Sequence, residues 1–184
     1  KPSWLRHEPE GDEVVIELDP GMAFGTGYHP TTSTCLEALE KHLSPGAKVL
    51  DLGTGSGILS IAAARLGAAS VVALDIDPIA VSASRKNFKA GGLSQVRPGR
   101  GTLPHRLAPP AHFDLATANI SAKTVREMAG RLRDALKPGG TLIASGIVQR
   151  QEDEVRSAVT EAGFHHTETI CVDDWVTILF SRAP

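Results

Sequence analysis

The chain has 184 residues and a formal net charge of −2; 41% of its residues are hydrophobic and 22% are charged. This length suits one domain with its own core, and the composition is that of an ordinary globular protein. The small net charge, with charges that look interspersed along the chain, indicates neither a nucleic-acid surface nor a membrane surface. No apolar run approaches the roughly 18 residues of a membrane-spanning helix. Cys35 and Cys171 lie far apart and outside any CxxC pattern, which predicts reduced thiols and a cytoplasmic location.

The chain alternates between strand and helix patterns. Strands are predicted at 14–20, 48–52, 70–77, 95–96, 113–120 and 141–147, with a final hairpin within 165–181. Helices are predicted at 32–43, 58–67, 78–90, 122–136 and 149–162, with a turn at KPGG (137–140) and a loop at 99–112. This alternation predicts an α/β fold in which helices cover both faces of a mostly parallel sheet. The hairpin adds an antiparallel strand near the C-terminus.

The first buried strand, KVLDL, runs into a glycine-rich turn. Asp51, Gly53, Gly55 and Gly57 lie in VLDLGTGSG, where glycines permit a tight turn and a close approach of the backbone to a ligand. The next strand ends at Asp75, 18 residues after Gly57. Because these two strand ends are neighbours in a doubly wound sheet, Asp75 is placed to accept hydrogen bonds from both hydroxyls of a ribose.

The spacing of the glycines distinguishes between nucleotide cofactors. A dinucleotide fingerprint, G-x-G-x-x-G, needs a third glycine, but Ile58 or Ser60 occupies that position here. The observed D-x-G-x-G-x-G pattern resembles that of class I S-adenosylmethionine-dependent methyltransferases. That resemblance implies a Rossmann-like fold with a seven-stranded sheet, and S-adenosyl-L-methionine as the cofactor. The alternative is an ordinary glycine-rich turn that binds no nucleotide cofactor.

Five runs resemble one methyltransferase family more narrowly. DPGMAFGTGYHPTT, DLGTGSGILSIAA, DIDPIA, ANI and SGI occur in this order, and together they are similar to the bacterial methyltransferases that modify ribosomal protein L11 (PrmA). The resemblance covers essentially the whole chain. It implies transfer of a methyl group from S-adenosyl-L-methionine to lysine side chains or the N-terminal amine of L11, which would be the protein partner. The product would be S-adenosyl-L-homocysteine, and neither metal nor direct nucleic-acid contact is expected.

The resemblance also implies roles for individual residues. Asn119, in ANI, is the candidate catalytic residue, because it contacts both the cofactor and the acceptor amine. The other cofactor-binding residues implied are Thr32, Gly53, Gly55, Gly57 and Asp75, with Phe24, Gly25 and Thr26 in a covering loop. Thr102 or Leu103 is expected to border the adenine. For His29, a hydrogen bond that fixes the loop is favoured over the role of catalytic base.

The domain organisation departs from the family pattern. Residues 1–184 are expected to form a single catalytic domain, with an N-terminal strand and cofactor-covering loop at 1–30 and a Rossmann-like core at 31–184. The family's small N-terminal substrate-recognition domain has no counterpart, so it was either removed or never present. Relatives without that domain methylate lysines of other proteins. A second departure is the basic, proline-rich segment 97–112.

Other functions remain as alternatives. A methyltransferase acting on glutamine or adenine usually carries N-P-P-Y after the fourth strand, whereas Asn119 is followed here by Ile120, Ser121 and Ala122, with no aromatic residue. A lysine methyltransferase acting on a different protein is a further alternative, because the N-terminal substrate-recognition domain has no counterpart here. A cofactor-binding module without activity is the non-enzymatic alternative.

Overall fold

The computed structural model describes residues 1, 5–11, 13–18 and 27–184. Within them, the strands are β1 (Lys48–Leu52), β2 (Ser70–Asp75), β3 (Val96–Arg100), β4 (Phe113–Asn119), β5 (Leu136–Val148), β6 (Phe164–Val172) and β7 (Trp175–Arg182). The α-helices are α1 (Pro30–His42), α2 (Ile58–Arg65), α3 (Pro78–Ala90), α4 (Ala122–Ala135) and α5 (Glu152–Glu161), and a 3₁₀ turn (Gln149–Gln151) precedes α5. None of the helices in these ranges is long and apolar enough to cross a bilayer.

The strands form one seven-stranded sheet in the order β3-β2-β1-β4-β5-β7-β6. The pairs from β3 to β5 are parallel, and β7 runs antiparallel to both of its neighbours. The mostly parallel, seven-stranded sheet with an antiparallel C-terminal strand is therefore confirmed. Because β2 lies on one side of β1 and β4 on the other, the strand order reverses between β1 and β4.

Helices cover both faces of the sheet, which explains the continuous apolar runs in its central strands. Val49 of β1 joins a core cluster with residues of α1, α2 and α3. The next residue, Leu50, joins a second cluster with residues of α4 and α5. Successive side chains of a strand point to opposite faces, so both faces of β1 are buried.

The predicted strands at 141–147 and 95–96 have boundaries that are wrong by several residues. The strand β5 begins at Leu136, so KPGG (137–140) lies within it rather than ending a helix at residue 136. Leu136 pairs with Phe113, and the register shifts before the next pair, Leu115 with Thr141. The strand β3 extends to Arg100, beyond the predicted 95–96 and into the predicted loop, because its residues pair in register with β2.

The predicted strand at 14–20 is not assigned as a strand over its described part, residues 14–18. The backbone of this segment forms hydrogen bonds with Lys1. The α-ammonium of Lys1 donates to the carbonyl of Ile16 at 2.6 Å, and the amide of Leu18 donates to the carbonyl of Lys1 at 2.9 Å. Leu18 is buried in the core cluster beneath α1 and α2. The apolar face of this segment is thus buried at Leu18 and partly buried at Ile16, whereas Val14 is exposed, and residues 14–18 do not pair with the sheet. Residues 19 and 20 lie outside the described part.

Candidate functional site

A cleft of about 490 Å³ opens at the carboxyl ends of the parallel strands. It lies where the strand order reverses between β1 and β4, which is where ligands bind in open α/β sheets. Gly53, Gly55, Asp75 and Asn119 all line it. The structure thus brings together residues that the sequence predicted to share one site, although they come from three different strand ends.

The glycines of the turn are required by its geometry. Gly53, Gly55 and Gly57 have φ angles of +78°, +55° and +91°, a region that favours glycine. A Cβ atom on Gly53 would lie 2.3 Å from Cγ2 of Ile120, and one on Gly57 would lie 2.5 Å from the ring of Phe88. Both distances are far below van der Waals contact, so the turn can pack this closely only without side chains.

The Asp75 carboxylate at the end of β2 is held in a fixed orientation. One of its oxygens, Oδ2, accepts a hydrogen bond from the amide of Gly55 at 3.0 Å. The other, Oδ1, accepts one from the amide of Asp77 at 2.9 Å. A carboxylate offers about four acceptor positions. Asp75 therefore keeps acceptor capacity toward the cleft.

Asp51 is buried beneath the turn rather than exposed in the cleft. Its Oδ2 accepts hydrogen bonds from the hydroxyls of Thr54 and Ser60, and its Oδ1 accepts one from the hydroxyl of Thr117, each at 2.7 Å. Burial raises the pKa of Asp51, and the three hydroxyl donors oppose that rise. This residue ties the turn, α2 and β4 together beneath the cleft.

The N-terminus of α1 is capped by His29. Its Nδ1 accepts a hydrogen bond from the amide of Thr31 at 3.3 Å and lies 2.8 Å from the Thr31 hydroxyl. Pro30 follows at the start of the helix, where its missing N–H costs nothing. The His29 ring also contacts Trp175 edge to face, with centroids 4.8 Å apart. These contacts fix the His29 side chain at the start of α1.

Thr32, in the first turn of α1, is completely buried. Within the described part of the chain, its hydroxyl is the buried side-chain polar atom with no hydrogen-bond partner. Leaving such a group unpaired costs about 1–3 kcal/mol, so native proteins rarely do it without a reason. The Thr32 hydroxyl therefore has unused hydrogen-bonding capacity. It does not itself line the cleft described above, and Phe24, Gly25 and Thr26 lie outside the described residues.

Asn119 is the last residue of β4 and is fixed by the neighbouring strand. It pairs in register with Ser145 of β5, and the amide of Ile120 donates to the Ser145 carbonyl at 3.1 Å. Gly146 has a φ of +80°, and a Cβ there would lie 2.4 Å from the Ile120 carbonyl oxygen. The backbones of β4 and β5 therefore meet closely at the point where Asn119 enters the cleft.

A buried chain of hydroxyls connects α1 with this strand end. The hydroxyl of Thr177 lies 2.6 Å from that of Thr34 on one side and 2.6 Å from that of Ser145 on the other. Beside it, burial raises the pKa of the Cys35 thiol to about 12. The sequence contains no local signal for these contacts between hydroxyls, because Thr34 and Thr177 are 143 positions apart.

Thr102 and Ile76 also line the cleft. Leu103, the other candidate for the adenine border, is buried and lines a separate cavity instead. Ile76 was not predicted, although it is 71% exposed and directly follows Asp75. An apolar residue immediately after the acid that ends the strand is the signal that could have found it. No group of three metal-ligating side chains occurs among the described residues.

The fold and the cleft together define a class of protein. A crystal structure of an S-adenosylmethionine-dependent methyltransferase from Aquifex aeolicus shares the fold with a TM-score of 0.69 at 18% identity, over 80% of this chain and 88% of that chain. The structure therefore has the class I S-adenosylmethionine-dependent methyltransferase fold. A fold at this level of identity does not specify the reaction or the acceptor.

Comparison of the sequence identifies the family. The model of the ribosomal protein L11 methyltransferase (PrmA) family matches residues 1–183. The ribosomal protein L11 methyltransferase of Geobacillus kaustophilus is 48% identical over 180 residues, which is 97% of this chain. A crystal structure of ribosomal protein L11 methylase from Lactobacillus delbrueckii subsp. bulgaricus has a TM-score of 0.91 at 33% identity, covering 100% of this chain and 93% of that chain. The chain belongs to the ribosomal protein L11 methyltransferase family.

The match does not extend over the full length of the curated relatives. The chain spans 57% of the Geobacillus kaustophilus protein and 62% of the relative from Chloroflexus aurantiacus, which is 44% identical over 204 residues and covers 98% of this chain. The region shared with these proteins contains the whole cleft.

Proposed function

We propose that this protein transfers a methyl group from S-adenosyl-L-methionine to amino groups of ribosomal protein L11 in the cytoplasm. The observation that carries the proposal is the cleft in which the glycine turn, Asp75 and Asn119 meet. Membership of a family named for L11 methylation supports the acceptor. The target atoms proposed are lysine side-chain nitrogens, the N-terminal amine, or both.

The residues of the cleft fit the cofactor. The backbone of the turn from Gly53 to Gly57 offers close approach to a nucleoside, and the Asp75 carboxylate has acceptor capacity for two ribose hydroxyls. The unpaired hydroxyl of Thr32 would bind a polar group at the amino-acid end of the cofactor. In this proposal Phe24, Gly25 and Thr26 cover the bound cofactor.

When bound, the cofactor supplies an activated methyl group on a sulfonium, which a nucleophile attacks in line. The protein's main contribution is to hold the acceptor on that line, and such positioning can account for several kcal/mol of the barrier. The side-chain oxygen of Asn119 would accept a hydrogen bond from an N–H of the acceptor amine, and so direct the lone pair of the amine nitrogen toward the methyl group. The position of Asn119 at the end of β4, lining the cleft, supports this role.

A lysine acceptor must first lose a proton. With a free pKa near 10.4, only about one lysine in 2,500 is neutral at pH 7. Transfer of the amine from water into the cleft lowers its pKa, because burial disfavours the charged form. An N-terminal amine, with a pKa near 8, needs less help.

Calorimetric titration tests the cofactor. We expect S-adenosyl-L-methionine to bind with micromolar affinity and NAD not to bind, because the third glycine of a dinucleotide fingerprint is missing. Binding of NAD without S-adenosyl-L-methionine would overturn the proposal.

The acceptor atoms are tested separately with two forms of L11. One form keeps its free N-terminal amine, and the other is acetylated there. Methylation of the acetylated form would show that lysine side chains are acceptors, and fewer methyl groups on it than on the unacetylated form would show that the N-terminal amine is an acceptor as well. Loss of all methylation in the acetylated form would restrict the activity to the N-terminal amine.

A further inference from the structure

Positive charge is segregated in one continuous segment of the chain. Residues 78–112 contain six lysines and arginines and no aspartate or glutamate, although the whole chain has a net charge of −2. The remaining residues therefore carry −8. The expectation that the protein has no nucleic-acid partner rests on a small net charge and on interspersed charges, and the second ground is wrong for this segment.

The structure places the six cations on neighbouring elements at one end of the sheet. We call them the basic face: Arg85, Lys86, Lys89, Arg97, Arg100 and Arg106. The first three lie on α3, which packs against β3, the edge strand that carries the next two. Arg106 lies in the connection from β3 to β4, which folds back onto β3, since a Cβ on Gly99 would lie 2.9 Å from the His105 ring. All six side chains are exposed.

The basic face has no neutralising partners of its own. None of its six side chains forms an ion pair with any residue in the described ranges. Elsewhere the exposed cations are commonly paired, as Lys41 is with Glu168 and Arg156 with Asp153. Charged residues on an edge strand can serve simply to prevent sheet-to-sheet pairing. That purpose does not account for the same sign on α3 and on the connection beyond β3.

We propose that the basic face binds the phosphate backbone of RNA. A protein partner would need apolar anchor residues at the centre of its interface. The exposed large apolar side chains nearest in sequence, Ile76 and Ile79, lie instead at the start of α3, and Ile76 lines the cleft. Phosphates need only cations, which is what the face offers. The choice of RNA over DNA rests on the proposed function, because a ribosomal protein substrate is accompanied by RNA.

Fluorescence anisotropy with a labelled single-stranded RNA of about twelve nucleotides tests the proposal. The test variant is Lys86→Gln/Lys89→Gln/Arg97→Gln. It removes three positive charges of the basic face at positions that are distant from Asp75 in sequence. The matched control is Lys123→Gln/Arg126→Gln/Arg150→Gln, which changes the net charge equally but lies on α4 and just after β5. DNA of the same sequence and a polyglutamate peptide are measured as competing ligands.

We expect the unaltered protein to bind RNA with a Kd of about 1–100 µM near 150 mM salt. The test variant should bind about tenfold or more weakly, and its slope of log K against log salt should fall by about 2, since each lost phosphate contact removes about 0.7. The control variant should match the unaltered protein.

Several results would overturn this proposal. The first two are absence of RNA binding at about 50 mM salt and equal weakening of RNA binding by the test and control variants. The third is tighter binding of DNA than of RNA. The fourth is binding of polyglutamate as tight as that of RNA, which would assign the basic face to an acidic protein. RNA binding is measured in the absence of cofactor and of L11. Titration of the same variants with S-adenosyl-L-methionine therefore distinguishes failure of the RNA-binding proposal from failure of the proposed function.

Discussion

At the scale of single residues, Asp75 carries the proposed recognition of the ribose. Its two oxygens already accept one backbone hydrogen bond each, which orients the carboxylate without consuming all of its acceptor capacity. We expect Asp75→Ala to weaken binding of S-adenosyl-L-methionine about 10- to 100-fold, since a hydrogen bond to a charged group contributes about 1.5–3 kcal/mol. Calorimetry measures this, with Asp153→Ala, on the exposed start of α5, as the control. Unchanged affinity in Asp75→Ala would remove the ribose assignment.

Asn119 is predicted to act on the acceptor more than on the cofactor. We expect Asn119→Ala to lower kcat about 100-fold, because a misaligned amine loses most of the benefit of positioning. Its affinity for S-adenosyl-L-methionine should fall much less. Methyl-transfer rates and calorimetry on the same preparation give both quantities. Equal losses would make Asn119 a plain cofactor ligand.

Several residues of the site were predictable from the sequence for a local reason. The glycines and Asp75 lie at strand ends, and strand ends of a parallel sheet meet at one edge. The role of Thr177 was not predictable, because its partners Thr34 and Ser145 come from other elements. A buried hydroxyl in a strand has no pattern that reveals what it will face.

At the scale of elements, the glycine turn offers a matched pair of substitutions. Gly53 and Gly139 have similar φ angles, +78° and +75°, but a Cβ on Gly53 would overlap Ile120 whereas one on Gly139 meets no atom within 4 Å. Both alanine variants incur about 1–2 kcal/mol from the left-handed backbone. Only Gly53→Ala should lose additional stability and cofactor affinity. Urea unfolding and calorimetry compare the two, and equal effects would contradict a steric requirement at Gly53.

The hydroxyl chain is predicted to hold α1 against the sheet. Thr177→Val keeps the shape of the side chain but leaves the buried hydroxyls of Thr34 and Ser145 without their shared partner. We expect a loss of about 1–3 kcal/mol in the free energy of unfolding, and recovery of most of it in Thr177→Ser. Urea denaturation measures both. If valine and serine behave alike, the hydrogen bonds contribute nothing and the site tolerates their loss.

The start of β5 shows why one strand boundary could not be predicted from the sequence. KPGG normally ends a helix and begins a turn, and Gly139 does adopt a positive φ here. Yet Leu136, just before it, is buried and pairs with Phe113 of β4. Pairing with β4 therefore makes Leu136 the first residue of the strand instead of the last residue of the helix. The local pattern of proline and glycine does not predict this pairing.

At the scale of the whole molecule, the alternation of strand and helix predicted the parallel sheet and its two covered faces. The hairpin at the C-terminus predicted an antiparallel strand, and β7 lies between β5 and β6. The concentration of positive charge at the β3 end of the sheet was hidden in a near-neutral total. It depends on which elements become neighbours, so it appears only once β3 is placed at the edge beside α3.

The buried thiol links the stability of the whole fold to pH. An unfolded cysteine has a pKa of about 8.5, whereas burial raises the pKa of Cys35 to about 12. Between these values the folded state holds a proton that the unfolded state has lost, so stability falls as pH rises through this window. We expect urea unfolding at about pH 7.5 and pH 9.5 to show a smaller loss in Cys35→Ala than in the unaltered protein. Equal losses would show that other groups cause the decline.

The most direct test of the central claim is mass spectrometry of ribosomal protein L11 after incubation with this protein and S-adenosyl-L-methionine. The account predicts mass increments of one or more methyl groups on amino nitrogens, dependent on the cofactor and strongly reduced with Asn119→Ala. A preparation that binds S-adenosyl-L-methionine but leaves the mass of L11 unchanged would contradict L11 as the acceptor of this chain.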